Sequence, residues 1–234
     1  MKKIVSIMLI AAMMALSVMS LASCSDEGGE KGIAYELLED GTYAVTSYTG
    51  EETVVSVPAE YEGKAVTVIA GEAFRDTKVT KVTLPASVKS IKYNAFYNCT
   101  ELAEVILPEG LLTIEKAAFY NCGKLTTVAI PETVTKLGAN AFDACGSLTS
   151  IKIPASVENA YDYTFQGCLK LSKVIIDTPA FLDGEKKTDC GCVLAYATSV
   201  YVKEGVAVTG YYINTAFKTV DSDMSGYVKY IPLA

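Results

Sequence analysis

A solenoid of short parallel strands is the fold class this sequence predicts, and three observations predict it. Four residue columns recur in one register with a 23-residue period, the step from Cys99 to Cys122. Part of each copy alternates between apolar and mixed positions with period two, as a half-buried strand does. No single copy can bury its own apolar side chains, so the copies must stack and share one core.

The columns are Cys99, Cys122, Cys145 and Cys168; Phe96, Phe119, Phe142 and Phe165; Leu102, Leu125, Leu148 and Leu171; and Pro85, Pro108, Pro131 and Pro154. In the copy spanning 108–130 the unit is Pro108, Leu111, Ile114, Ala118-Phe119, Cys122, Leu125, Val128 and Ile130. Val128-Ala129-Ile130 alternates, which predicts one short strand per copy with Val and Ile inward. Pro131 ends it, because proline has no N–H to donate to the next rung. Phe119, Leu111 and Ile114 are expected to fill the opposite side of the coil. A longer earlier copy runs through Pro58, Val66, Ile69, Ala73-Phe74, Val79, Val82 and Leu84, with Thr77 at the cysteine position. A degenerate last copy sets Cys190 and Cys192 on either side of the expected place and resumes at Val200-Tyr201-Val202. Stacking about six rungs at ~4.8 Å gives a right-handed coil ~25–30 Å long with a parallel sheet along one face.

The ends of such a stack need covers. Residues 33–57 alternate and contain Asp40-Gly41, a hairpin signal, so they are expected to form an N-terminal cap. The solenoid is assigned to 58–203. Residues 204–234, with Tyr211-Tyr212-Ile213, Ala216-Phe217 and an apolar run from Tyr227 to Ile231, are assigned to a β-containing C-terminal cap.

Before the cap lies a different kind of segment. Lys2 and Lys3 precede an almost wholly apolar run from Ile4 to Val18, and the first acid is Asp26. This pattern is that of a signal peptide over 1–23. Leu21-Ala22-Ser23-Cys24 resembles a bacterial lipobox, which implies that Cys24 becomes the lipid-bearing first residue. A transmembrane anchor is the alternative, since the run approaches the ~20 residues that span a bilayer. Residues 24–32 are expected to be a lipidated flexible tether. Ser25 after the cysteine resembles outer-membrane sorting. Ser-Asp-Glu also resembles an acidic export tag, although a solvated linker has the same composition. Loss of 1–23 removes two lysines and no acid, leaving 18 basic against 27 acidic residues, a formal charge of −9. That balance argues against nucleic acid and anionic membrane surfaces as partners, so membrane contact is expected through the lipid anchor only.

The whole pattern, Ile-Pro-x-x-Val-x-x-Ile-x-x-x-Ala-Phe-x-x-Cys-x-x-Leu-x-x-Val, resembles the BspA-type leucine-rich repeats of bacterial surface proteins. The resemblance covers about residues 33–203. It implies a leucine-rich-repeat solenoid in a secreted or surface-anchored protein, and it implies adhesion to host matrix proteins as a role. It transfers no site residue, because the recurring positions are core positions, and one scaffold serves many ligands.

Candidate sites are few. With no histidine, Ser-His-Asp and Cys-His machinery are excluded, and no glycine loop suits a phosphate. Asp221 and Asp223 flank Ser222, but a solvated loop explains them. No enzymatic activity, cofactor or metal is expected. Zinc sites want cysteines clustered at short spacing, whereas one per rung makes a line of small buried thiols, expected to be free. Cys190-Gly191-Cys192 could close a strained disulfide or reach Cys168, and a structural role is favoured over a redox one. The candidate binding face is the outward side of the strands: Lys81, Glu104, Thr127, Ser150 and Lys173 in one column, Thr83, Ile106, Ala129, Lys152 and Ile175 in the next. This lightly charged mixture suits protein or glycan contact, though an idle exposed sheet has the same make-up. A rival aromatic patch comprises Tyr93, Tyr97, Tyr120, Tyr161 and Tyr163, which could instead shield the phenylalanine core. Asn98 and Asn121 are expected to bond turn backbone. The expected function is a surface-exposed outer-membrane lipoprotein that binds protein. The alternatives are a glycan-capture lipoprotein of a nutrient-uptake system and a periplasm-facing envelope scaffold.

Overall fold

A computed structural model describes residues 31–160, 163–178, 199–204, 213–219 and 227–232. The N-terminal hairpin is present. Strand β1 (Ile33–Leu37) runs antiparallel to β2 (Tyr43–Tyr48). Gly41 takes a φ of 82°, and Asp40 Oδ1 accepts hydrogen bonds from both the N–H and the hydroxyl of Thr42. That is the conformation and the side-chain bond an Asp-Gly turn is chosen for. A single edge strand, β3 (Val54–Ser56), follows. Then β4 (Glu60–Tyr61) folds back on β5 (Lys64–Ile69) through Glu62 and Gly63, both at positive φ.

A repeat contributes up to two strands, where the sequence predicted one. The expected strands are β6 (Lys81–Thr83), β8 (Glu104–Ile106), β11 (Ser150–Ile153), β13 (Lys173–Ile176) and β14 (Ser199–Lys203). The others lie at the Val-x-x-Ile part of the unit: β7 (Ser90–Ile91), β9 (Thr113–Ile114), β10 (Lys136–Leu137) and β12 (Asn159–Ala160). These join β1, β2 and β5 in one sheet of order β1-β2-β5-β7-β9-β10-β12, with β4 beside β5. The outward ladder is two sheets, β3-β6-β8 and β11-β13-β14-β16-β15. Its last members, β15 (Ile213–Thr219) and β16 (Tyr227–Pro232), pair antiparallel and supply the β-structure assigned to the C-terminal end. A second correction concerns Val128-Ala129-Ile130. That stretch forms no strand and keeps one bridge, Thr127 to Ser150. Alanine at the outward centre of the rung has low strand preference and no side chain to pack across the ladder.

The core follows the columns. Phe74, Phe96, Phe119, Phe142 and Phe165 are fully buried, as are Leu111 and Ile114 on their side of the coil. Their rings stack face to face at 4.9, 5.0, 5.1 and 5.5 Å, and Tyr48 of the hairpin starts the pile 5.4 Å from Phe74. Main-chain bonds step from rung to rung beside the rings: the Phe96 N–H donates to the Ala118 carbonyl at 2.7 Å, and that of Phe119 to Ala141 at 2.8 Å. Two corners per rung are left-handed. One column is Glu72, Asn94, Ala117, Asn140 and Tyr163; the other is Asp76, Asn98, Asn121, Ala144 and Gly167. Asparagine and glycine suit such corners, whereas the two alanines accept them under constraint from the stacked neighbours.

Candidate interaction surface

Strand register sets the outward columns. Lys81 pairs with Glu104 and Thr83 with Ile106; Ser150 pairs with Lys173 and Lys152 with Ile175; Thr127 bridges Ser150. All ten residues of the predicted face are exposed or half-buried, while the residues between them, Val82, Val105, Ile151 and Val174, are buried. The charges on this face are largely engaged with each other. Lys81 Nζ lies 3.0 Å from Glu104 Oε2. Lys152 Nζ reaches back to Glu132 Oε1 at 2.6 Å and forward to Asp177 Oδ2 at 3.1 Å, so it ties three successive rungs. The hydrogen bond that Lys152 donates to Glu132, reinforced by Asp177, raises the lysine pKa and keeps it protonated. Lys173 lies over the Tyr201 ring at 5.1 Å. Between these pairs the face presents Ile106, Thr127, Ala129 and Ser150.

Asp177 stands one repeat period after Pro154, at the next place in the proline column. Unlike proline it has an N–H, which donates to the Ile153 carbonyl at 2.9 Å and carries the ladder one bond further. Its side chain is buried, and Lys152 supplies the neutralising charge. A buried carboxylate needs such a partner.

Among the described aromatic candidates, ring stacking joins one pair. Tyr97 and Tyr120 come together, stacked at 4.8 Å with the Arg75 guanidinium 5.0 Å from the Tyr97 ring. Their faces are therefore turned to each other and to Arg75. Tyr93 is 54% exposed and lies over Gly71, where a Cβ would sit 2.7 Å from the ring. Tyr163, 39% exposed, is three rungs further along. Asn98 and Asn121 also differ from expectation. Rather than bonding turn backbone, the Asn121 amide donates to Asn98 Oδ1 at 2.7 Å and the Asn98 amide to Asp76 Oδ1 at 2.6 Å, forming a ladder along one corner column. The stacking that aligns the corners also aligns the amides, so they satisfy each other. Cys24, Tyr161, Cys190, Cys192, Asp221, Ser222 and Asp223 lie outside the described residues.

A family model described as a BspA-type leucine-rich-repeat region, in six copies, matches residues 67–182. The chain belongs to the BspA-type leucine-rich-repeat family. Among solved structures it is similar to a leucine-rich-repeat protein of T. pallidum, with 33% identity over 64% of this chain and 71% of that one and a TM-score of 0.62. It is also similar to a leucine-rich cell surface protein of Faecalibacterium prausnitzii, with 29% identity over 66% of this chain and a TM-score of 0.56. It spans 45% of that second protein. The pneumococcal vaccine antigen PcpA shares the fold, at 21% identity over 58% of this chain and 35% of that one, with a TM-score of 0.50. No curated protein matches the chain.

In this BspA-type array the cysteine column is a line of satisfied, buried thiols. Cys99, Cys122, Cys145 and Cys168 are free. Each Sγ lies 2.9–3.3 Å from the carbonyl of the phenylalanine one rung back, donating to Phe74, Phe96, Phe119 and Phe142 in turn. Where the first copy has threonine, the Thr77 hydroxyl makes the same kind of bond, to its own Phe74 carbonyl at 2.7 Å. Burial pushes the Cys99 thiol up to about 11 and Cys168 to about 12, and holds Cys122 and Cys145 well above the ordinary value. The thiolate is the reactive form, so these four should resist alkylation in the native protein at pH 8 and react once it is unfolded. Peptide mapping after iodoacetamide with and without denaturant checks this. Rapid native labelling of any of the four would show that the column opens.

Proposed function

We propose that this chain is a lipid-anchored outer-membrane protein exposed on the cell, which binds a protein partner through the outward strand face; host matrix proteins are the partner class to test first. The observation that carries the reading is that face: two columns of side chains in register, with paired charges at both ends and Ile106, Thr127, Ala129 and Ser150 uncharged between them. Recognition surfaces have this make-up, with charge depleted at the centre and a polar rim. The similarity to a leucine-rich cell surface protein supports the location. The sequence of 21–24 supports the anchor, with Cys24 as the lipid-bearing residue after loss of 1–23.

Protease shaving of intact cells tests the location, with a periplasmic protein as control. Loss of the repeat body from intact cells is expected. Protection until the outer membrane is breached would favour a periplasm-facing scaffold. Binding is tested with the purified protein on arrays of matrix proteins and glycans. Ile106→Asp combined with Ala129→Asp should weaken a matrix-protein interaction at least ~10-fold, because it sets two unpaired charges at the centre of the face. Retained affinity in a variant that melts like the parent would remove this face from the function. Binding confined to the glycan array would favour the nutrient-uptake alternative.

A further inference from the structure

The outward ladder is broken at one contact between repeats. β6 pairs with β8 through three residues, and β13 pairs with both β11 and β14 through four. Between β8 and the next rung there is no strand pairing. Among the described residues, no main-chain hydrogen bond joins 103–107 to 126–130. On its other side that rung keeps the Thr127–Ser150 bridge and bonds from the Thr149 N–H and hydroxyl to the Thr126 carbonyl, at 3.1 and 3.4 Å.

The core is less well covered at this contact than along β6, β11 and β13. Inward-facing Val105, Val128 and Ile130 are 5%, 7% and 6% exposed, against 0–2% for Val82, Ile151, Val174 and Ile176. The opposite sheet runs through the same two rungs without interruption. Ser90 pairs with Thr113 and Ile91 with Ile114, and the rings of Phe96 and Phe119 remain 5.0 Å apart. No ion pair on the outward face crosses the break among the described residues. Lys81–Glu104 lies on one side of it, and Lys152 with Glu132 and Asp177 on the other. The nearest tie is Lys124–Glu101, an exposed pair just ahead of the strand positions, and such pairs hold weakly.

We propose that this contact is a bending point, where the rung at 127–130 swings from β8 about the intact second sheet and opens a slit across the middle of the outward face. In a stacked array stability is a sum of repeat terms and nearest-neighbour terms, so the contact with the smallest neighbour term opens first. At the other described contacts, opening the outward ladder breaks strand pairings or a bridge; here it breaks none. The bend depends on no ligand and stands apart from the binding reading above.

Hydrogen exchange on the purified protein, with thiol labelling of two cysteine variants, tests it. Amides of 128–130 should exchange at least ~100-fold faster than those of 151–153 and 174–176, the difference between a segment held by one bridge and paired strands. In native buffer Val128→Cys should be labelled at least ~10-fold faster than Ile151→Cys, because only the former lines an opening. Should Val128→Cys melt well below the parent, Val105→Cys on the opposite lip reports the same opening. Uniform protection across the three segments would overturn the proposal. Fast exchange at 128–130 with equally slow labelling at the inward positions would overturn it too, since that combination describes a fixed gap.

Discussion

Replacing Phe119 with alanine should destabilise the fold by about 4 kcal/mol and lower the melting temperature by roughly 8–16 °C. The ring is fully buried between Phe96 and Phe142, 5.0 and 5.1 Å away. Truncation removes its buried area and leaves a hole with two flat walls. Those walls cannot close, because the main chain beside each ring is bonded to the adjacent rung through Phe96, Phe119 and Phe142 N–H groups. Phe119→Leu keeps most of the volume and should cost less than half as much. Denaturant titration of both variants gives the comparison. A loss under ~1 kcal/mol for the alanine variant would show that the column collapses around a vacancy, contrary to the fixed spacing of the pile.

Gly138→Ala should cost about 3 kcal/mol, a large effect for one methyl group. Gly138 needs no unusual φ; what it needs is room. A Cβ there would sit 2.4 Å from both the Glu115 carbonyl carbon and the Lys116 nitrogen, main-chain atoms of the rung before. Backbone cannot step aside as the end of a side chain can. The Gly138 N–H also donates to the Ile114 carbonyl at 2.8 Å, so pushing the rungs apart strains that bond and the β9–β10 pairing beside it. Gly123→Ala is the matched control, because a Cβ at Gly123 meets nothing within 4 Å. Equal midpoints for the two variants would mean that the rungs separate at little cost.

The core was legible because the repeat register presents each buried position four times or more. Phe, Cys and Leu columns all went inside as read. The second sheet was not legible: a strand of two residues, such as Thr113–Ile114, contains one inward side chain and offers no alternation to detect. The break at 127–130 was hidden for the opposite reason, since Val128-Ala129-Ile130 alternates well and fails on the strand preference of one alanine. At the candidate face, alternation identified which residues point outward. It could not identify their partners. Lys152 meets Glu132 off the repeat register, because a long side chain leans across the ladder. Asp177 carried a signal that went unused: it occupies the proline column, and an acid at a buried column position demands a cation nearby.

The ring pile also fixes how the molecule could change over generations. Rungs sit about 5 Å apart in the pile and pass the same contacts upward, from ring to ring and thiol to carbonyl. An in-frame duplication or loss of one whole repeat would therefore splice between equivalent neighbours, leaving Tyr48 still seated on the first ring. Length would change in whole steps of one rung, and the outward face would gain or lose one row at a time. The body is a ruler whose graduations recombination can add or erase, so descendants of one gene can differ in reach while every interior contact stays as it was.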